Sequence, residues 1–139
     1  MIHIAPTNNL AACHALRRAV FIDEQGVSEA HEIDNRDGEA LHLLATDDGT
    51  PVGTARLLVT GGIGKIGRVC VLSGHRGKGL GAALIRQALA VLREQPGVTT
   101  ARLGSQVHAI GFYERLGFTS HGPVYDDAGI DHRDMDHRL

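Results

Sequence analysis

The sequence carries almost no excess charge. Its 14 Lys and Arg face 16 Asp and Glu, a formal net charge of −2 with histidine neutral. That balance gives no electrostatic footprint for nucleic acid or an anionic membrane. No run approaches the ~20 apolar residues of a membrane span. The start, Met1-Ile2-His3-Ile4-Ala5-Pro6, lacks the basic residues and long apolar stretch of a signal peptide. There are only 2 cysteines, Cys13 and Cys70, too far apart for a metal-type pair. A reduced, cytoplasmic chain is the simple expectation. The 9 histidines suggest no metal either. His31-Glu32 lacks a second His four residues on. His132 and His137 are five apart on a predicted strand, where alternation puts them on opposite faces. No linker, repeat or low-complexity segment interrupts the 139 residues, which suit one domain over 1–139. Aromatics are few and tryptophan is absent, but glycine is abundant: 18 residues against a usual ~7%.

Periodicity predicts a mixed α/β order. Ile2 to Ala5 reads as an edge strand, and Thr7 or Asn8 as the cap of a helix over about 8–22. Leu10, Cys13, Leu16 and Val20 form that helix's apolar stripe. Asp23 to Glu39 is an acidic loop with one helical turn near Ser28. Strands over Ala40–Thr46, Val52–Thr60 and Ile63–Leu72 form an antiparallel meander, turning at Asp47-Asp48-Gly49-Thr50 and at Gly61-Gly62. A glycine-rich loop over Ser73–Gly81 enters a helix over about 79–94, closed by Pro96-Gly97. A strand over Thr99–Val107 and a short helix over His108–Leu116, with Gly117 as its C-cap, follow. Phe118 onward and Arg133–Leu139 read as two last strands.

The glycine loop, Ser73-Gly74-His75-Arg76-Gly77-Lys78-Gly79-Leu80-Gly81-Ala82, joins a strand to a helix start. Glycines let backbone N–H groups point inward, and the helix N-terminus adds partial positive charge. Arg76 and Lys78 add full charges, so a phosphate or pyrophosphate is expected. A P-loop does not fit, because Lys78 is followed by Gly79 and not by Ser or Thr. The dinucleotide fingerprint is formally met by Gly77, Gly79 and Ala82. It lacks its acid on the next strand, Thr99-Thr100-Ala101-Arg102-Leu103, and the loop follows a meander.

Val71 with Arg76-Gly77-Lys78-Gly79-Leu80-Gly81 resembles the acetyl-CoA pyrophosphate loop of the GNAT N-acetyltransferases. Gln106, Ala109, Phe112-Tyr113-Glu114 and Leu116-Gly117-Phe118 resemble that family's later motif. Val20-Phe21-Ile22-Asp23-Glu24-Gln25-Gly26-Val27, Glu32-Ile33-Asp34 and Gly129-Ile130-Asp131-His132 further resemble the ElaA-type branch. The resemblance covers essentially the whole chain. It implies the GNAT fold, a mixed, mostly antiparallel sheet flanked by helices, with acetyl-CoA as donor and an amine as acceptor.

It also implies residue roles. The backbone of Val69 and Val71 would pair with the pantetheine arm, and the N–H near Val71 would polarise the thioester carbonyl. Arg76, Gly77, Lys78, Gly79, Gly81 and Ala82 would hold the pyrophosphate, and Gln106 would touch the cofactor. Tyr113 is the catalytic candidate, because a phenol of pKa ~10 is a fitting acid for a departing thiolate. Many relatives place a basic Glu on the strand before the loop. Lys65-Ile66-Gly67-Arg68-Val69-Cys70 has none, which leaves Glu32, Asp34, His42 and His132 as base or substrate candidates. Arg56 and Arg68 read either as partners of the acidic loop or as anchors for an acceptor carboxylate. The acids of Asp23–Glu39 suggest a small cationic amine as acceptor. A protein N-acetyltransferase, or a CoA-binding regulatory module with a degenerate acceptor site, are the alternatives. A homodimer is compatible with all of them.

Overall fold

The computed structural model describes all residues, Met1–Leu139. One seven-stranded sheet runs in the order β1-β2-β3-β4-β5-β7-β6. Its strands are β1 Ile2–Thr7, β2 Leu41–Asp47, β3 Thr50–Thr60, β4 Ile63–Val71, β5 Thr100–Gln106, β6 Thr119–Asp127 and β7 Ile130–Arg138. Every neighbouring pair is antiparallel except β4 with β5. The helices are α1 Leu10–Arg17, α2 Glu29–Glu32, α3 Leu80–Arg93 and α4 Ile110–Glu114. No helix is long and apolar enough to cross a membrane.

Helices cover both faces of the sheet, and the strand period of two divides the core between them. On β2, Leu43 and Ala45 pack with Leu84, Ile85, Leu89 and Leu92 of α3. Leu44 points the other way, to Leu16, Val20 and Cys70. Leu84, Ile85 and Leu92 are fully buried. Each contributes roughly 1.5–3 kcal/mol by leaving water.

The first helix differs from its sequence reading. Asn9, not Thr7 or Asn8, caps α1, its Oδ1 accepting from Ala12 N–H at 3.2 Å. After Arg17 the chain widens into π-helical turns over Arg18–Glu24. A wider turn carries more residues per revolution, so the three-and-four spacing of the apolar stripe does not persist to 22. The β6–β7 hairpin turns at Ala128 and Gly129, both at positive φ, and β7 starts three residues before the expected Arg133.

Two irregularities open the sheet. β4 pairs with β5 only over Ile63–Lys65 against Thr100–Arg102, so the two strands splay apart beyond. On β4, Arg68 and Val69 together face Ala55 of β3, a bulge with Arg68 at φ 50. The inserted residue inverts the alternation. Ile66 joins the α3 core, whereas Cys70, four residues on, faces the α1 cluster.

Candidate active site

The splay between β4 and β5 continues into a cleft of about 360 Å³. Val69 from β4, Gln106 from β5, Tyr113 from α4 and His132 from β7 line it. Glu32, at the end of α2, and Asp34, two residues on, also line it. His42 does not line it. It is buried on β2 with its Nε2 on Asp37 O at 3.0 Å.

The glycine loop sits beyond the C-terminal end of β4. Gly77 and Gly79 adopt φ of 78° and 80°, and Gly79 caps α3 without a side chain. The first turn of α3 has no acidic residue, and Ala83 N–H is the first to close a helical bond, to Gly79 O. The N–H groups of Leu80, Gly81 and Ala82 are therefore left for an outside acceptor. A Cβ at Gly81 would meet only Phe112, at 3.9 Å, so the approach is open. The two loop cations have different surroundings. The Arg76 guanidinium is bidentate to Glu24 at 2.8 Å, and its Nε donates to Val71 O at 2.9 Å. Lys78 is exposed and has no carboxylate partner.

Leu72 N–H donates to Val52 O. By strand alternation the Val71 amide points to the opposite edge, the open one. Arg76 already occupies the Val71 carbonyl, so the Val71 N–H is the free group there.

Tyr113 packs edge-on against Phe112 and Phe118, ring centroids 5.0 and 6.0 Å away. Burial pushes its phenol above the ordinary value, so it stays protonated at neutral pH. His132 Nδ1 lies 2.7 Å from Ile130 O. A carbonyl only accepts, so Nδ1 carries a proton, and Nε2 is the ring nitrogen left to accept one. Of the other carboxylates and rings, Glu32 is buried on Arg17 Nε, and Asp34 takes both terminal nitrogens of Arg56 at 2.8 Å. Those Arg56 bonds hold the Asp34 carboxyl well below the usual range, making it a poor proton acceptor.

Six of the seven acids of Asp23–Glu39 pair with arginines. Arg76 holds Glu24, Arg18 holds Glu29, Arg17 holds Glu32 and Asp37, Arg56 holds Asp34 and Asp37, and Arg36 holds Glu39. Asp23 alone of the seven acids is exposed without an arginine partner.

Tyr125 was not anticipated. It lines the cleft, stacks on His132 at 6.0 Å and donates to Asp134 Oδ1 at 2.7 Å. It crosses β7 to reach β5, where a Cβ at Gly104 would stand 2.3 Å from its hydroxyl. The signal was Gly104 itself, since a glycine inside a strand marks a close approach.

A family model described as an acetyltransferase (GNAT) domain matches residues 6–139. The N-acetyltransferase YjcF of Bacillus subtilis, itself uncharacterized, is 36% identical over 121 residues, 86% of each chain. The crystal structure of Escherichia coli ElaA superposes with a TM-score of 0.88 at 30% identity, covering 99% of each chain. An acyl-CoA N-acyltransferase from Pseudomonas aeruginosa superposes at 0.89 with 32% identity, again over 99% of each chain.

Proposed function

The chain belongs to the GNAT family of acetyltransferases, and from that premise we propose that it transfers acetyl from acetyl-CoA to a primary amine by direct attack. The observation that carries this is the splay of β4 from β5. It leaves one strand edge unpaired between the bare N-terminus of α3 and the cleft holding Tyr113 and His132. The residues present fit the donor. The β4 edge offers backbone groups to an amide-bearing arm, and Lys78 with the first N–H groups of α3 offers donors to a pyrophosphate. Arg76 shapes the loop through Glu24 and Val71.

Acetyl-CoA supplies an activated thioester. Val71 N–H donates to its carbonyl oxygen, where negative charge develops. The acceptor arrives as an ammonium, and an amine of pKa ~10 is only about a thousandth neutral at pH 7. His132 Nε2 takes that proton, directly or through one water. As the carbon–sulfur bond breaks, the Tyr113 hydroxyl donates its proton to the departing sulfur, and the second proton that the nitrogen sheds on becoming an amide restores the phenol. Neither cysteine competes as a nucleophile: both are buried, and burial pushes the Cys70 thiol up to about 12.

Calorimetry with acetyl-CoA followed by thiol release across an amine panel tests this. Binding with amine-dependent thiol release is expected. Binding without release from any amine identifies a CoA-binding module, and no binding at millimolar acetyl-CoA removes both readings.

A further inference from the structure

The charges that reach the cleft are not evenly matched. Arg17, Arg56 and Arg68 meet Glu32, Asp34 and Asp37, three cations against three anions, but the hydrogen bonds are unequally shared. Arg56 takes both Asp34 oxygens, and Arg17 bonds Glu32 and Asp37. Arg68 receives the remainder. Its Nη2 reaches Glu32 O at 3.0 Å, and His31 O and Asp34 Oδ2 at 3.4 Å. Its Nε lies 3.7 Å from Glu32 Oε1, beyond hydrogen-bond range, and is buried without a partner. Its Nη1 has no protein acceptor. The positive φ of the β4 bulge holds this under-satisfied guanidinium on the cleft wall.

Lys65, three residues before the bulge, also lines the cleft and has no carboxylate partner. The one further carboxylate on the wall, Asp127, is engaged by His31 at 2.8 Å. Burial and the neighbouring Arg56 push the Arg68 guanidinium below its ordinary value, whereas Arg17, Arg56 and Arg76 are all raised. Arg68 is the cation in this network that an added anion would stabilise most.

We propose that the acceptor is a small amine carrying a carboxylate, bound through Arg68 and Lys65 with its amino group toward His132. The inference rests on the acetyl-transfer reading and names the acceptor class of that same cleft. The unpartnered Nη1 of Arg68 and the ammonium of Lys65 offer charged donors to a carboxylate, and the cleft volume suits a small molecule.

The test uses matched pairs that differ only in the carboxylate: lysine against cadaverine, phenylalanine against phenethylamine. Each is titrated calorimetrically into CoA-saturated protein and assayed for thiol release with acetyl-CoA. The carboxylated members should bind roughly tenfold or more tighter, the range of a hydrogen bond to a charged group. Arg68→Gln should abolish that preference and Arg68→Lys retain part of it. Lys65→Met, at an exposed strand position that does not endanger folding, should narrow it. Equal or tighter binding of the carboxylate-free amines overturns the inference, as does failure of every carboxylated member to bind. If those same amines still release thiol, the acetyl-transfer reading stands while this one falls. Absence of acetyl-CoA binding removes the transfer reading itself.

Discussion

Replacing Tyr113 by Phe removes one oxygen from the cleft and little else. The hydroxyl has no protein hydrogen-bond partner, and the ring's edge-on contacts with Phe112 and Phe118 survive. Stability should change by less than about 0.5 kcal/mol, the range for sites without a lost interaction. Acetyl-CoA affinity should be unchanged within about twofold, because the phenol acts on a leaving group that carries charge only as the bond breaks. Turnover should fall by roughly 10²–10⁴, the usual contribution of a general acid. At 1.36 kcal/mol per decade that is about 2.7–5.4 kcal/mol of barrier. Thermal unfolding, calorimetry and steady-state thiol release separate the three quantities. The pH profile adds a fourth. The raised phenol keeps its proton well into alkaline pH and loses it above that. The wild-type rate should therefore decline at the alkaline extreme, and the variant should lack that limb. An unchanged kcat, or loss confined to KM, refutes the role.

Gly79→Val forces a β-branched residue into φ 80° at the cap of α3. The dissociation constant for acetyl-CoA should rise at least about tenfold in calorimetry on folded protein, through loss of the loop's anion-facing N–H groups. Gly104→Ala places a Cβ against the Tyr125 hydroxyl and must displace it from Asp134. KM for the acceptor should shift while acetyl-CoA affinity holds. Acid stability follows from Asp34 and Asp37. Arg56 lowers Asp34; burial raises Asp37, but bonds from Arg17, His14 and Arg56 outweigh it and hold it low. A depressed carboxylate contributes stability above the unfolded pKa of ~3.9, and that contribution is lost as pH falls toward the folded value. The melting temperature should drop steeply below about pH 4, and Asp34→Asn should start lower and show a shallower slope.

The sheet and the glycine loop were legible because their signals are local. Strand alternation from Val52 to Leu72, the turn at Asp48-Gly49 and the glycines of residues 77–81 each act within a few residues. The motif singled out Tyr113, which lines the cleft, and burial beside two Phe rings explains why an aromatic stands there. The cleft's electrostatics were not legible. Six charges from α1, the acidic loop, β3 and β4 choose partners far off in the chain, as Arg68 and Asp34 do across 34 residues. Composition gives their number, not their pairing. The bulge at Arg68 was hidden as well. It displays as an ordinary Gly-Arg-Val run, and only the change of face between Ile66 and Cys70 marks it. Tyr125 reaches the site because β7 lies between β5 and β6, a strand order that no local pattern encodes.

Single-turnover transfer from isotopically labelled acetyl-CoA tests the account most directly, with protein in excess, a carboxylated amine as acceptor, and both protein and small molecules read by mass spectrometry after quenching. The account predicts label in an N-acetylated amine, one thiol released per amide formed, and no labelled protein at any time. An acetylated protein species that forms and then decays into product would contradict direct attack. Thiol release without any labelled amide would contradict amine acetylation itself.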